Sequence, residues 1–330
     1  MKVLITGGTG FIGSRLALRC LEDGHSVRIL GRENTPAESA NRKLVEEKGA
    51  EVFLSSVTDR EMLPGLLKGI DVVHHLAAAQ HEVNIPDRRF WDVNVTGTAN
   101  LLDASVNAGV KRFVHGSTIG VYGSSMEGLL DENSPLRPDN IYGKTKLEGE
   151  KAALSFREKL PVVIIRIPET YGPGDRRLLK LFKAIRQGIF FMIGDGNNLH
   201  HLIYIDDLIE AFFRAAEKPD AIGNLFVVAG RDAVTTNEMV AAIGRQVGGK
   251  PLGLRAPLPL FAGLAVILEM AFRPLGIQPP LHPRRMDFFR KSFSFSQEKA
   301  EKTLGFRPTV PFEEGASRTA AWYRSMGYLE

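Results

Sequence analysis

An α/β fold, a doubly wound parallel sheet followed by a smaller and mostly helical domain, is what this sequence predicts, and two observations carry the prediction. Short, β-branched apolar runs alternate with helical patterns through the first half of the chain, the order that a parallel sheet covered by helices on both faces requires. At the opening, from Lys2 to Gly13, an apolar run of Val3, Leu4 and Ile5 exits through Thr6. It meets glycines at 7, 8, 10 and 13 and continues into a helical pattern on Leu16, Leu18 and Leu21.

The elements follow in order. Gly24 closes the first helix, and Ser26 to Leu30 forms a second strand. Glu51 to Leu54 and Asp71 to Leu76 read as the third and fourth. A long amphipathic helix containing Asn94 to Ala108 precedes a fifth strand at Arg112 to His115. A helix from about Tyr142 to Lys159 and a sixth strand at Val162 to Ile167 complete the first half. Gly172-Pro173-Gly174 marks a break, and Phe190 to Asn198 reads as loop with a Gly-Asp-Gly turn. Leu202 to Ile205 and Asn224 to Val228 read as strands around a helix from Asp206 to Ala216, and from Arg231 the chain is helical and proline-punctuated. The expected division is therefore 1–167, with 199–229 returning to it, and a second domain of 168–198 and 230–330.

A strand that runs into a glycine turn and a helix presents backbone N–H groups and a helix N-terminus to a pyrophosphate. Gly7 permits the tight turn, Gly10 the approach of backbone to phosphate, and Gly13 the packing of helix on strand, in GxxGxxG spacing. Residues of interest also fall where an open α/β sheet places its ligand, at strand ends: Gly31, Ala77, Ala78, Ser117, Thr118 and Pro168 to Gly172. An acidic residue about 20 positions after the glycines meets the ribose 2′-OH of NAD, whereas an arginine accommodates a 2′-phosphate. Here the second strand ends Leu30-Gly31-Arg32. NADP(H) is therefore favoured over NAD(H), with Arg32 on the phosphate.

Composition excludes several classes. The 330 residues are 44% hydrophobic and 24% charged, with 42 basic against 38 acidic residues and a net charge of +4. The charges are interleaved, so no stripe for nucleic acid forms. A single cysteine, Cys20, leaves no internal disulfide and no cysteine metal cluster. Met1 opens directly onto the first strand, and the longest apolar run, Pro257 to Phe272, contains Glu269 and falls short of the ~20 residues that span a bilayer. A cytoplasmic protein with a small-molecule substrate is expected.

Tyr142-Gly-Lys-Thr-Lys146 opens a helix, where residues four apart share a face. A free tyrosine, with a pKa of about 10, is a poor acid or base near neutrality; a nearby ammonium favours the phenolate. Thr118 can supply a hydroxyl that orients a substrate oxygen. At this point the chain resembles the extended short-chain dehydrogenase/reductases of the NAD-dependent epimerase/dehydratase type, which have a Rossmann-type sheet. The matching stretches are TGGTGFIG at 6–13, HLAA at 75–78, NVTGT at 94–98, KRFV at 111–114 and STIGVYG at 117–123. Further matches are Tyr142 to Lys146, Tyr171-Gly-Pro-Gly174, Tyr204-Ile-Asp-Asp207 and Leu304-Gly-Phe-Arg-Pro308. Together they cover nearly the whole chain.

The resemblance implies that Tyr142 is the general acid/base, that Lys146 holds the nicotinamide ribose and tunes Tyr142, and that Thr118 orients the reacting oxygen. It implies a cofactor seat of Gly7, Gly10, Phe11, Ile12, Gly13, Arg32, Leu76, Ala77, Ala78, Asn94, Tyr142, Lys146 and Pro168, and a homodimer through helices at about 92–108 and 142–158. His81, Glu169 and His200 are substrate-side candidates. Nucleotide-sugar enzymes of this type use an asparagine before Tyr-Gly-Pro and an arginine before the last sheet strand to grip a diphosphate. Glu169 and His200 stand there instead, and a carboxylate repels a diphosphate. The stretch Gly194 to Asn198 and the apolar insert Pro257 to Pro280 are similar to the 3β-hydroxysteroid dehydrogenase-like branch. Such an insert suits a lipid-like pocket or peripheral contact with a membrane surface. The leading expectation is interconversion of a secondary alcohol and a ketone on an apolar, sterol- or flavanol-like substrate. The alternatives are a nucleotide-sugar 4-epimerase or 4,6-dehydratase and, third, a non-catalytic dinucleotide sensor or scaffold.

Overall fold

The computed structural model describes residues 1–80, 85–124, 128–272 and 283–329. Its centre is a seven-stranded parallel sheet of β1 (Lys2–Thr6), β2 (Ser26–Gly31), β3 (Glu51–Leu54), β4 (Val72–His75), β5 (Arg112–Thr118), β6 (Val162–Ile167) and β7 (Leu225–Val227), in the spatial order β7-β6-β5-β4-β1-β2-β3. Every carboxyl end therefore opens on one edge. β1 lies between β2 and β4 and is buried on both faces: Val3 and Ile5 enter one apolar cluster, Leu4 the other. That double burial explains why its sequence is an unbroken apolar run with no polar alternation.

The principal helices are α1 (Phe11–Glu22), α2 (Pro36–Glu47), α3 (Thr98–Asn107), α4 (Ile141–Ser155), α5 (Leu179–Arg186), α6 (Ile205–Glu217), α7 (Thr236–Val247), α8 (Leu258–Phe272), α9 (Pro283–Arg290) and α10 (Phe312–Ser325). α1 and α6 pack on the Val3/Ile5 face, and α3 and α4 on the Leu4 face.

Several elements differ from the sequence expectation, among them three that bear on the site. The helix expected from Asn94 to Ala108 is interrupted: Asp92–Gly97 is a π-helical turn and α3 starts only at Thr98. The wider turn carries the Asn94 amide inward, where its Oδ1 accepts from Ala79 N at 2.8 Å and its Nδ2 donates to Ala79 O at 3.1 Å. The strand expected at Leu202 to Ile205 shortens to Ile203–Tyr204 and pairs with Thr170–Tyr171, outside the main sheet, because Tyr171 and Tyr204 pack edge to face there. Within the stretch expected to be loop, Met192–Ile193 pairs with Arg255–Ala256.

The second half is fastened to the sheet by polar contacts as well as apolar ones. Asp207, buried at the start of α6, accepts from Thr309 N at 3.0 Å, Thr309 Oγ1 at 2.9 Å and Val310 N at 3.1 Å. The Tyr204-to-Asp207 stretch is thus joined to the two residues that directly follow Leu304-to-Pro308, about a hundred residues away in sequence. Asp207→Ala removes the acceptor of three donors, of which the Val310 N–H is buried, and should cost about 1–3 kcal/mol. A denaturant titration should show a lower midpoint at unchanged slope; an unchanged midpoint would contradict the assignment.

Candidate active site

The glycine loop follows β1 as expected. Gly7 has φ +72°, and a Cβ on it would lie 2.8 Å from Ala77 N; a Cβ on Gly13 would lie 2.3 Å from Gly7 O. Gly10 caps α1 without any side-chain hydrogen bond, and no acidic residue stands in the first turn. The N–H groups of that turn therefore face the strand ends uncapped, which fits an anionic diphosphate. Phe11 and Ile12 pack partly buried on the core, and Phe11 also touches Gly174 of the Tyr-Gly-Pro-Gly loop. Leu76 and Ala77 border the loop, with Ala77 N donating to Thr6 Oγ1 at 3.2 Å. Pro168 begins the crossing from β6 towards Glu169.

Gly31 has a steric reason of its own. A Cβ there would meet Thr9 Cγ2 at 2.5 Å. Thr9 is held in that position, donating to Arg32 O at 2.8 Å and accepting from Arg32 N at 3.2 Å. The missing carboxylate at the end of β2 is thus demanded by Thr9, whatever the cofactor. Arg32 lines a cavity of about 930 Å³ together with Ser56, Thr58, Arg88, Arg89 and Asp92.

Two buried polar chains position the catalytic candidates. In the first, Thr6 Oγ1 meets His75 Nδ1 at 2.7 Å and His75 Nε2 meets Thr98 Oγ1 at 2.9 Å. Thr98 gives its own proton to Asn94 O at 2.8 Å, so His75 donates from Nε2 and accepts at Nδ1. Burial holds His75 neutral, with a pKa pulled down to about 3. Asn94 then donates to Thr145 Oγ1 at 3.0 Å, and Thr145 to Ile141 O at 2.9 Å. The chain therefore runs from the root of the glycine loop to the first turn of α4. Asn94 acts there as a connector in the protein interior.

In the second chain, Glu150 on α4 takes a bidentate pair from Arg166 on β6 (Nε to Oε1 3.0 Å, Nη2 to Oε2 2.9 Å) and a 2.5 Å hydrogen bond from Ser117. Ser117 and Arg166 are register partners on β5 and β6. Arg166 also donates to Tyr122 Oη at 2.8 Å. Ser117 is thereby turned into the core, and Thr118 is the hydroxyl that reaches Tyr142. Sequence reasoning missed Glu150, although it continues the four-residue ladder of Tyr142 and Lys146.

Two cations belong to the site's surroundings. Lys146 is fully buried and donates to Gly116 O at 2.6 Å. Burial pulls its pKa down to about 8, and the Glu150 carboxylate opposes that fall. Tyr142 is pushed up to about 12 by burial, against the Thr118 hydrogen bond and the positive charge of Arg177. Arg177, a residue the sequence reading did not single out, contributes positive charge towards Tyr142. Asp175 holds it, accepting from Arg177 Nε at 2.9 Å, with a second bond to Thr170 O.

Glu169 and His200 are brought face to face, with His200 Nδ1 3.9 Å from Glu169 Oε2. His200 Nε2 lies 2.9 Å from Thr236 Oγ1, which donates to Asn198 Oδ1 at 2.7 Å. His200 therefore carries its proton on Nε2 and leaves Nδ1 as an acceptor beside a carboxylate; burial lowers its pKa. Ala78 is partly buried at the end of the HLAA stretch. His81 lies outside the described residues. Cys20 is buried in α1, its thiol pushed up to about 12 by burial, and is inert as a nucleophile.

A glycine loop rooted at a central strand, with Thr118 at the end of β5 and Tyr142 and the buried Lys146 on α4, agrees with the similarity to known proteins. Residues 3–229 match the model of the NAD dependent epimerase/dehydratase family. The chain belongs to that family. Its members are NAD-dependent enzymes of the extended short-chain dehydrogenase/reductase type. Among curated relatives, the 3β-hydroxysteroid-dehydrogenase/decarboxylase isoform 2 of Arabidopsis thaliana is 29% identical over 96% of this chain and 61% of that protein. The chain thus spans about three fifths of that plant enzyme. The UDP-glucose 4-epimerase of Mycolicibacterium smegmatis is 30% identical, over 98% of this chain and 99% of that protein. Among solved structures, MoeE5 in complex with UDP-glucose and NAD superposes with a TM-score of 0.78 at 26% identity over 99% of each chain. The UDP-glucose 4-epimerase of Thermotoga maritima, with UDP-glucose, gives 0.79 at 26% identity over 99% of each.

In this epimerase/dehydratase chain the Thr9–Gly31 contact should be testable by itself. Gly31→Asp should cost about 1–3 kcal/mol through overpacking, and Thr9→Ala in the same protein should restore most of the loss in thermal unfolding. Equal destabilisation with and without Thr9 would contradict the steric account.

Proposed function

We propose that the protein is an NAD(P)-dependent oxidoreductase that interconverts a secondary alcohol and a ketone on an apolar substrate of sterol-like shape. The observation that carries this reading is the Glu169–His200 pair. A carboxylate beside a neutral imidazole acceptor offers no positive charge to a diphosphate. The same two acceptors suit a hydroxyl that donates to them.

The chemistry requires a proton and a hydride. A nicotinamide dinucleotide bound at the glycine loop supplies or accepts the hydride. Tyr142 in its phenol form gives a proton to the carbonyl oxygen in reduction, and in its phenolate form takes the proton back from the alcohol in oxidation. Thr118 donates to the tyrosine oxygen and fixes the line of transfer. Arg177 stabilises the phenolate that remains. Lys146, kept cationic by Glu150, is the group we assign to the ribose.

The dinucleotide is the family's requirement, and its NADP(H) form is our proposal. It rests on Arg32 and on the cavity it shares with Arg88 and Arg89, in which three guanidinium groups accompany one carboxylate. A nucleotide-sugar 4-epimerase or 4,6-dehydratase is the second reading, supported by the mycobacterial epimerase relative and by UDP-glucose in the two solved structures.

A spectrophotometric assay of NADPH oxidation with steroid-like cyclic ketones, run beside UDP-glucose/UDP-galactose interconversion, separates the readings. Ketone reduction is expected, and interconversion of the sugars without it would favour the second reading. Tyr142→Phe should lower kcat about 10²–10⁴-fold while leaving the dinucleotide dissociation constant within about twofold; retained turnover would remove the tyrosine from its role. Arg32→Ala should raise the KM for NADPH about tenfold, and that for NADH little. Equal effects on both would remove the 2′-phosphate contact.

A further inference from the structure

The least ordinary surface of the molecule lies on α8. The helix is apolar on all sides from Leu258 to Leu268. Its inner side is accounted for: Ala265 is buried, and Phe261 packs on Phe191 with ring centres 5.7 Å apart. Leu260, Leu264 and Ile267 form one outward line at helical spacing, and Val266 and Met270 lie beside it; these five side chains are 41–71% exposed. Leu252 N bonds to Phe190 O at 2.7 Å, and Arg255–Ala256 pairs with Met192–Ile193. Exposed Leu252, Leu254 and Ile189 therefore belong to the two segments on which α8 packs. Soluble monomers rarely expose a contiguous apolar surface of this kind without a partner.

The charge around it identifies the partner. The segments beside α8 are mainly basic: they contain Arg176, Lys180, Lys183, Arg186, Lys250, Arg255, Arg290 and Lys291, against the carboxylates Asp195, Glu269 and Asp287, the last of which is paired with Arg290 and Lys291. Gly249 and Lys250 abut the end of α5 beside Arg186. Basic residues beside a large aliphatic face match the headgroup and acyl layers of an anionic bilayer. A two-fold contact with a second copy would instead set this cationic rim against itself. We propose that the α8 face seats the protein on an anionic lipid surface. The helix lies in the interface and does not cross it. Its 15 residues rise about 22 Å against about 30 Å of hydrocarbon, and among the described residues no helix is long and apolar enough to span.

The seat is continuous with the candidate active site. Phe190 stacks on Phe289 at 6.3 Å, Phe289 meets Phe288 at 5.0 Å, and Phe288 lies 4.7 Å from the His200 ring. These packed rings join the lipid contact to the wall beside His200. A part for that wall in admitting an apolar substrate rests on the proposed function, whereas the lipid contact does not.

Vesicle flotation tests the contact with the intact chain. The protein should float with vesicles of phosphatidylglycerol and phosphatidylcholine and bind pure phosphatidylcholine at least about tenfold more weakly. Ile267→Gln with Met270→Gln should abolish flotation, and Arg186→Gln with Lys250→Gln should weaken binding to the anionic vesicles about tenfold. All four positions are exposed and remote from Tyr142, so turnover of a water-soluble ketone should be unchanged, which separates lost binding from lost folding or lost activity. Absence of flotation with either vesicle would overturn the proposal. So would flotation unaffected by the substitutions, or sedimentation showing that the apolar substitutions split a dimer that binds no vesicle.

Discussion

The arrangement of the site depends on one buried ion pair, Glu150 with Arg166. Glu150 stands two turns along α4 from Tyr142, and its carboxylate is clasped by Arg166 from β6 and Ser117 from β5. One turn nearer Tyr142, Lys146 reaches Gly116 on the same strand. These contacts fix the helix along and around its axis, and so fix where the tyrosine points. Both members of the pair are 3% exposed, a setting in which removal of one partner costs about 3–5 kcal/mol because the other is left charged and buried. The pair also gives the fully buried Lys146 a negative neighbour that opposes loss of its proton.

The chain through Thr6, His75, Thr98, Asn94 and Thr145 fixes the same helix from the cofactor side. The glycine loop and the first turn of α4 are therefore registered to one another through hydrogen bonds between buried side chains. None of this selects a substrate. Under the proposed function, selection falls to Glu169, just before the Thr170–Tyr171 strand, and His200, in the Leu199–His200 strand.

Much of this was legible in the sequence because it is local. The glycine turn, the apolar strands and the Tyr142–Lys146 spacing each span few residues, and the structure places all of them as elements of one site edge. What escaped was nonlocal. Nothing in the stretch around Arg177 shows that its charge bears on Tyr142, and Glu150 gathers Ser117 and Arg166 only because β5 and β6 set those two side by side. Gly31 shows the difference most clearly: the sequence offers an absent carboxylate, and only the position of Thr9 explains it. α2 is a different case. Its Thr35-Pro36 start, with Glu38 returning to Asn34 N and Thr35 Oγ1, is a local signal that the reading passed over. The π turn at Asp92–Gly97 has no comparable signature; it is set by the demand of the Ala79 backbone for the Asn94 amide.

The central claim is that the site favours an uncharged apolar alcohol over a nucleoside diphosphate, through Glu169 and His200. Calorimetric titration of UDP into the dinucleotide-loaded protein tests it most directly, with the double substitution Glu169→Asn and His200→Arg as comparison. The account predicts negligible binding by the natural chain and at least about tenfold stronger binding by the substituted one. Tight binding of UDP by the natural chain, lost on the double substitution, would contradict it.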